Sequence, residues 1–169
     1  MKKMMVLVLV LAMAVSMAAC GSKAADKAPL EGTMEENALK IMEISPVEFM
    51  GGCIPVDLTD ADTVRYFTGL QDPAVITDAA VYESMMGSQA FSLVLVRTAE
   101  GADAKTVAQE MTDNIDTRKW ICVGADEKLV AGYGNTVMLI MLDSQLGLQA
   151  QSYVDAFKSV CGADLDFTI

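Results

Sequence analysis

Two parts of the chain show the same order of strand-like and helix-like hydrophobic patterns. Apolar residues run almost continuously over residues 91–96 and 137–142, which is typical of strands covered on at least one face. Each run follows another strand-like segment and a two-residue turn signal, Gly87-Ser88 in the first case and Gly134-Asn135 in the second. The pattern predicts two β-hairpins, with strands over residues 79–86 and 90–97 and over residues 128–133 and 136–142.

Each predicted hairpin is followed by a segment whose apolar residues have helical spacing. The first segment begins after Gly101-Ala102-Asp103, and the second runs over about residues 148–160. The offset that places Gly87 over Gly134 also places Val107 over Val154. We therefore interpret the two hairpin–helix units as a structural pseudo-repeat.

The region before the hairpins predicts an N-terminal helical segment. Thr33 and Glu36 form a T-x-x-E capping box, and Ser45-Pro46 repeats a helix-start signal that predicts a short second helical turn before Gly51-Gly52. A further helix begins at residues 59–62 and ends near Gly69. The predicted fold class is α+β: an antiparallel sheet of about four strands built from the two units, with helices packed on it. Residues 164–169 are a candidate additional edge strand.

The first twenty residues have the pattern of a secretion signal. Lys2 and Lys3 precede an apolar stretch over residues 4–15, and Ala18-Ala19-Cys20 gives small residues before a cysteine. This order resembles the lipobox of bacterial lipoproteins, in which a diacylglycerol is joined to the cysteine sulfur. We predict a signal peptide over residues 1–19, a lipidated Cys20 with a flexible tether over residues 20–33, and a single domain over residues 34–169.

The alternative for the leader is an uncleaved transmembrane anchor. Residues 4–19 fall short of the ~20 apolar residues that span about 30 Å of hydrocarbon. Lipidation with two acyl chains gives stable anchoring without a transmembrane helix. The predicted location is the outer face of the cytoplasmic membrane, with membrane lipid as a partner through Cys20.

Composition limits the class of partner. The chain has 12 basic and 23 acidic residues and a net charge of −11. Nucleic acids and anionic lipid headgroups require clustered Lys and Arg, so the charge argues against both as direct partners. It permits cationic peptides, amines or metal ions.

The cysteines leave two alternatives open. Besides Cys20 the chain contains Cys53, Cys122 and Cys161, and an odd number cannot all pair internally. Secretion allows a disulfide, for which Cys122–Cys161 is a candidate. The other alternative is that all three are buried free thiols.

The sequence predicts no catalytic residue, cofactor or metal site. It contains no histidine, which excludes Ser-His-Asp and Cys-His catalysis, and no zinc spacing or phosphate-binding glycine motif is present. Acidic pairs are common, and we interpret them as helix caps or solvated charges. These pairs are Asp60 with Asp62, Asp113 with Asp116, Asp126 with Glu127, and Asp164 with Asp166.

Three residues are candidates for a contact surface: Met85, Trp120 and Tyr133. Met85 and Met86 lie beside a predicted hairpin turn, where an adaptable thioether surface can bind a partner. Trp120 is the only tryptophan and follows Arg118 and Lys119. We predict that these two cations complement the dipole at a helix C-terminus and that the indole packs against the sheet; a contact surface is the alternative.

Several tracts of the chain resemble the bacterial lipoprotein family called domain of unknown function 4358. They are Leu58-Thr59-Asp60, residues 66–70, residues 85–88, residues 91–97, and the distinctive residues 114–122 around Arg118-Lys119-Trp120. The likeness extends over roughly residues 36–161. It implies an extracytoplasmic lipoprotein of Gram-positive bacteria, and it carries no activity, cofactor or catalytic residue.

These observations predict a non-enzymatic, membrane-tethered module that binds a peptide, a protein or a small ligand, or aids assembly at the cell envelope. One alternative is a cell-surface hydrolase that uses carboxylates. Another is a small solute-binding lipoprotein.

Overall fold

A computed structural model describes residues 27–169, which form an antiparallel sheet between two layers of helices. The leader and Cys20 lie outside the described residues. The elements in chain order are α1 (Met34–Ile44), β1 (Gly51–Pro55), α2 (Ala61–Thr68), β2 (Ile76–Ser84), β3 (Phe91–Thr98), α3 (Ala104–Asn114), β4 (Glu127–Tyr133), β5 (Thr136–Leu142), α4 (Ala150–Cys161) and β6 (Phe167–Thr168). The α+β class with an antiparallel sheet is confirmed.

The strand order across the sheet is β1-β2-β3-β5-β4-β6, and all neighbours are antiparallel. Both predicted hairpins are present, and the second closes through Gly134-Asn135 with a positive φ of 55° at Gly134. The first closes through a wider loop, residues 85–90, and not through Gly87-Ser88 alone. Ser84 Oγ lies 2.7 Å from Gln89 Oε1, and the Gln89 N–H donates to the Met86 carbonyl at 3.0 Å. These contacts hold the wider loop in place.

The sheet has six strands in residues 27–169, so the expectation of about four was too low. The short helical turn predicted between Ser45-Pro46 and Gly51-Gly52 is absent, and the unpredicted strand β1 begins at Gly51. It pairs with β2, and the pairing continues one residue beyond both strands, where the Met85 N–H donates to the Met50 carbonyl at 3.0 Å. The tail forms β6, whose Phe167 ring lies directly over Gly132, where no side chain would fit.

The two helical layers explain the continuous apolar runs. On one face α1 and α4 pack against Phe91, Leu93 and Ile140, and on the other α2 and α3 pack against Val94 and Leu139. Successive side chains of a strand point to opposite faces, so a strand buried on both faces must be apolar throughout. The helices of the two hairpin–helix units, α3 and α4, lie in different layers. Val107 and Val154, which the pseudo-repeat places at equivalent positions, therefore pack on opposite faces of the sheet.

Side-chain caps set the helix starts. The predicted capping box is present: the Glu36 N–H donates to Thr33 Oγ1 and the Thr33 N–H donates to Glu36 Oε2, both at 3.1 Å. Asp60 caps α2 by accepting from the Asp62 and Thr63 N–H groups, and Asp103 caps α3 by accepting from the Thr106 N–H, in both cases without the reciprocal bond. Leu30, within the segment predicted as tether, is buried against the α1–α4 face. None of the helices in the described part of the chain is both long and apolar enough to cross a membrane.

Candidate contact surface

The most exposed apolar side chains lie together at one end of the sheet. Among the large apolar residues of the described part, the four with the highest exposure are Ile121 (73%), Met85 (70%), Met50 (69%) and Met86 (53%). We call these four residues the methionine tip. Isolated exposed apolar residues are ordinary on a protein surface, but several adjacent ones usually mark a site of interaction.

Three segments distant in the sequence build the methionine tip. Met50 precedes β1, Met85 and Met86 follow β2, and the Met85 N–H bonds the Met50 carbonyl. Ile121 comes from the loop between α3 and β4, and its N–H donates to the Gly87 carbonyl at 2.9 Å. These backbone hydrogen bonds therefore bring the three segments that carry the four residues next to one another.

A buried lysine fixes the loop that carries Ile121. The side chain of Lys119 is only 1% exposed, and its Nζ lies 2.5 Å from Glu83 Oε1 on β2. Three aromatic rings surround the ammonium group, with centroids at 4.8 Å (Tyr66), 5.2 Å (Phe67) and 5.5 Å (Trp120). Cation–π attraction and the ion pair together compensate for part of the lost hydration.

Lys119 lies in a cage formed by Glu83 and the rings of Tyr66, Phe67 and Trp120. Burial and the neighbouring charges shift its pKa in opposite directions. Burial lowers the pKa of Lys119 below its usual value, while the charges of Glu83 and Asp116 act in the opposite direction. The ion pair is close but not aligned as a hydrogen bond. Neither Lys119 Nζ nor Glu83 Oε1 has a hydrogen-bond partner in the described part of the structure. The enclosed ammonium group thus holds the loop in position and is not accessible to a substrate.

This arrangement corrects the prediction for Arg118 and Lys119. Helix α3 ends at Asn114 and has no basic residue in its last turn, so neither cation complements its dipole. Pairing with Glu83 between aromatic rings is the stronger interaction for Lys119. Trp120 packs against the α2–α3 face of the core, as predicted.

The residue after Ile121 has an unusual backbone. Cys122 adopts a positive φ of 63°, the only such non-glycine residue in the described part of the chain. This conformation costs an L-residue roughly 1–2 kcal/mol. It turns the chain back toward α3, and the Ala125 N–H then donates to the Thr117 carbonyl at 2.8 Å. This strained residue directly follows the exposed Ile121.

The three predicted contact residues do not lie together. Met85 belongs to the methionine tip and Trp120 lies half-buried beside it. Tyr133 is at the opposite end of the sheet, half-buried, with Lys27 Nζ 4.9 Å from its ring centroid. The sequence analysis missed Met50 and Ile121 as site residues. Neither belongs to a periodic pattern, and only the tertiary fold places them beside Met85.

The structure favours the free-thiol alternative for the cysteines. Cys53, Cys122 and Cys161 are all unpaired, so Cys122 and Cys161 do not form the candidate disulfide. Cys53 and Cys161 are half-buried, but Cys122 is exposed, contrary to the expectation that all three are buried. Desolvation is the main cause that raises the pKa of Cys53 to about 11 and that of Cys161 to about 12.

The acidic pairs have structural partners. Thr63 hydrogen-bonds Asp60, Ser144 hydrogen-bonds Asp126, and Lys158 pairs with Asp164; each contact lowers the pKa of the carboxyl group. A glycosidase acid requires the opposite shift, because it must be protonated near neutral pH. Across residues 27–169, no group of three or more Cys, Asp and Glu side chains is placed to hold a metal ion.

A cavity of about 790 Å³ opens at the end of the sheet opposite the methionine tip. It is lined by the start of α3, the Gly134-Asn135 turn, Lys27 and Phe167, and it carries side chains of both charges. Its volume is in the range of small-molecule sites. Asn135 contributes a buried Oδ1 that has no hydrogen-bond partner among the described residues.

No protein-family model, no curated protein and no solved structure matches this chain. The likeness to the domain of unknown function 4358 therefore stays a prediction.

Proposed function

We propose that the chain is a lipid-anchored extracytoplasmic lipoprotein whose domain is a non-enzymatic binding module. The methionine tip is its docking surface for a protein partner. The supporting observation is that the four most exposed large apolar side chains of residues 27–169 belong to segments that meet at one end of the sheet. Burying each of them in an interface would contribute about 1–2 kcal/mol, which together is enough to anchor a specific contact.

The position of Lys27, where the described part of the chain begins, is consistent with this role. The described part begins at Lys27, whose Nζ lies 2.6 Å from Asp166 Oδ1, near the Gly134-Asn135 turn. The methionine tip lies at the other end of β3, whose eight residues span about 26 Å. An anchor at Cys20 would therefore be joined, through Lys27, to the end of the domain opposite the methionine tip.

The lipid anchor has a direct test. Mass spectrometry of the protein from its own membranes should find a cleaved leader and a diacylglycerol adduct on Cys20. The Cys20→Ala variant should lose both. An unmodified Cys20, or an intact leader on the wild-type protein, would contradict the anchor without affecting the proposal for the methionine tip.

The docking surface is tested by photo-crosslinking of the membrane-bound protein. A photoreactive amino acid at position 85 should give a discrete protein adduct, and the adduct should disappear when Met86→Gln and Ile121→Gln are added. The matched control places the same photoreactive residue at Leu39, which is 43% exposed on α1. Identical adducts from positions 85 and 39, or adducts only to lipid, would refute docking of a protein at the methionine tip.

The small solute-binding alternative rests on the cavity beside Asn135. It predicts that a small polar ligand raises the melting temperature of the wild-type protein and that Asn135→Ala abolishes this shift. The methionine tip plays no part in that function, so Met85→Gln should leave such a shift unchanged.

A further inference from the structure

Negative charge predominates around the methionine tip. Glu48 is exposed two residues before Met50, and Asp116 is exposed close enough to Lys119 to affect its pKa. Asp143 follows β5, and its N–H donates to the Ala90 carbonyl in the loop of the first hairpin. These three carboxylates come from different segments, as the apolar side chains do.

The cations at this end of the sheet do not cancel that charge. The ammonium group of Lys119 is buried and paired with Glu83, so it contributes little to the outer surface. Arg118 is exposed in the same loop and offsets one carboxylate. Lys128, near the start of β4, is half-buried, and its Nζ donates to the Thr112 carbonyl at 2.6 Å. An apolar centre with a mainly acidic rim therefore faces the solvent.

We propose that the segment that docks on the methionine tip is cationic and amphipathic, with apolar side chains toward the tip and Lys or Arg toward the rim. This inference rests on the proposed docking function and names the chemistry of the partner. Thioether side chains adapt to varied apolar surfaces, and the acidic rim attracts a basic segment while it repels an acidic one.

Two other occupants fit this surface less well. A second copy would bring two acidic rims together, since each molecule presents the same surface in a symmetric dimer. An anionic membrane surface would also be repelled, and the described part of the chain begins at Lys27, toward the opposite end of the sheet. A basic segment of another protein satisfies both the apolar and the charged part of the surface.

The test uses two synthetic peptides of roughly 18 residues, about five helical turns, with the same leucine stripe. One has lysine on its polar face and the other has glutamate. Binding of each labelled peptide to the full chain is measured by fluorescence anisotropy at about 50 and about 150 mM salt, over which screening increases. The lysine peptide should bind at least roughly tenfold more tightly, and the difference should shrink at the higher salt concentration.

Variants separate the apolar and the charged contributions. Met85→Gln with Met86→Gln should weaken binding of the lysine peptide about tenfold, while Met85→Leu with Met86→Leu should stay within about threefold of wild type, because leucine keeps the apolar area. Glu48→Gln with Asp116→Asn should weaken it about threefold to tenfold and flatten its salt dependence. Glu31→Gln with Glu100→Gln, at exposed positions near the opposite end, is the matched charge control and should change nothing.

The outcomes distinguish this inference from the function on which it rests. Equal binding of the two peptides, with both weakened by the Gln variants, would refute the cationic partner and leave docking at the tip intact. Binding of the lysine peptide that none of the tip variants changes would refute both. Loss of binding in the Leu variants would show that sulfur chemistry is required, and tip-dependent dimers in sedimentation would identify a second copy. Either result would overturn the inference.

Discussion

The buried pair of Lys119 and Glu83 predicts an unequal response to removal of its two members. Removing one partner of a buried ion pair commonly costs about 3–5 kcal/mol, whereas replacing both with uncharged groups is often neutral. Lys119 is 1% exposed and Glu83 is 16% exposed, so the lone carboxylate can recover some hydration but the lone ammonium cannot. We therefore expect Glu83→Gln to be more destabilising than Lys119→Met.

The magnitudes follow from this difference in burial. In Glu83→Gln the lysine can lose its proton, which at pH 7 costs at most about 4.6 kcal/mol for a group with an ordinary pKa of about 10.4. The free energy of unfolding should fall by about 3–4.5 kcal/mol in this variant. Lys119→Met keeps the packing against the aromatic rings, and we expect a loss of about 2–3 kcal/mol. The double variant should lie within about 1.5 kcal/mol of wild type.

Urea denaturation of wild type, the two single variants and the double variant at pH 7 measures this double-mutant cycle directly. Loss of Glu83 should also lower the pKa of Lys119 further. Between the lowered pKa of folded Lys119 and the ordinary value of 10.5, the unfolded state binds more protons than the folded state, so the stability of Glu83→Gln should rise with pH over this range more steeply than that of wild type. If each single variant lowered the free energy of unfolding by less than about 0.5 kcal/mol, and the two losses were additive in the double variant, the cage around Lys119 would not be the element that holds the loop.

Three further predictions concern the cysteines. Cys122→Gly should stabilise the fold by about 1 kcal/mol because glycine accepts the positive φ without strain, while Cys122→Val should destabilise it, both measured by urea denaturation. Among the three described cysteines, Cys122 should react first with a thiol reagent at pH 8, because Cys53 and Cys161 are half-buried with raised pKa values; equal rates for all three would contradict the structure. Unfolded thiols ionise near pH 9, while folded Cys53 and Cys161 stay protonated to about pH 11 and 12. The free energy of unfolding should therefore fall as the pH rises from 9 toward 12, and more steeply in wild type than in a Cys53→Ala, Cys161→Ala variant.

The sequence predicted the elements whose determinants are local. The capping box at Thr33 and Glu36 and the Gly134-Asn135 turn require only neighbouring residues, and both are present. The strand β1 was missed because Gly51-Gly52 has no hydrophobic alternation, and it is extended only because β2 provides a partner. Strand identity at such a position depends on tertiary pairing.

The site was harder to predict than the fold. Met85 was identified from its place beside a turn, but Met50 and Ile121 join it through hydrogen bonds between distant segments. Lys119 looked like a helix-end cation, because nothing in the sequence shows that Glu83 and the ring of Tyr66 lie next to it. Long-range contacts of this kind carry no local signal.

Oxidation of methionine in the cell measures most directly whether the methionine tip is covered by a partner. Peroxide converts exposed methionines to sulfoxides, and mass spectrometry gives the rate at Met85 and Met86 in cells and in the purified protein. A Leu39→Met variant provides an exposed thioether away from the tip. We predict that Met85 and Met86 are oxidised several-fold more slowly in cells than in the purified protein while Met at position 39 is not; equal ratios at all three positions would contradict docking at the methionine tip.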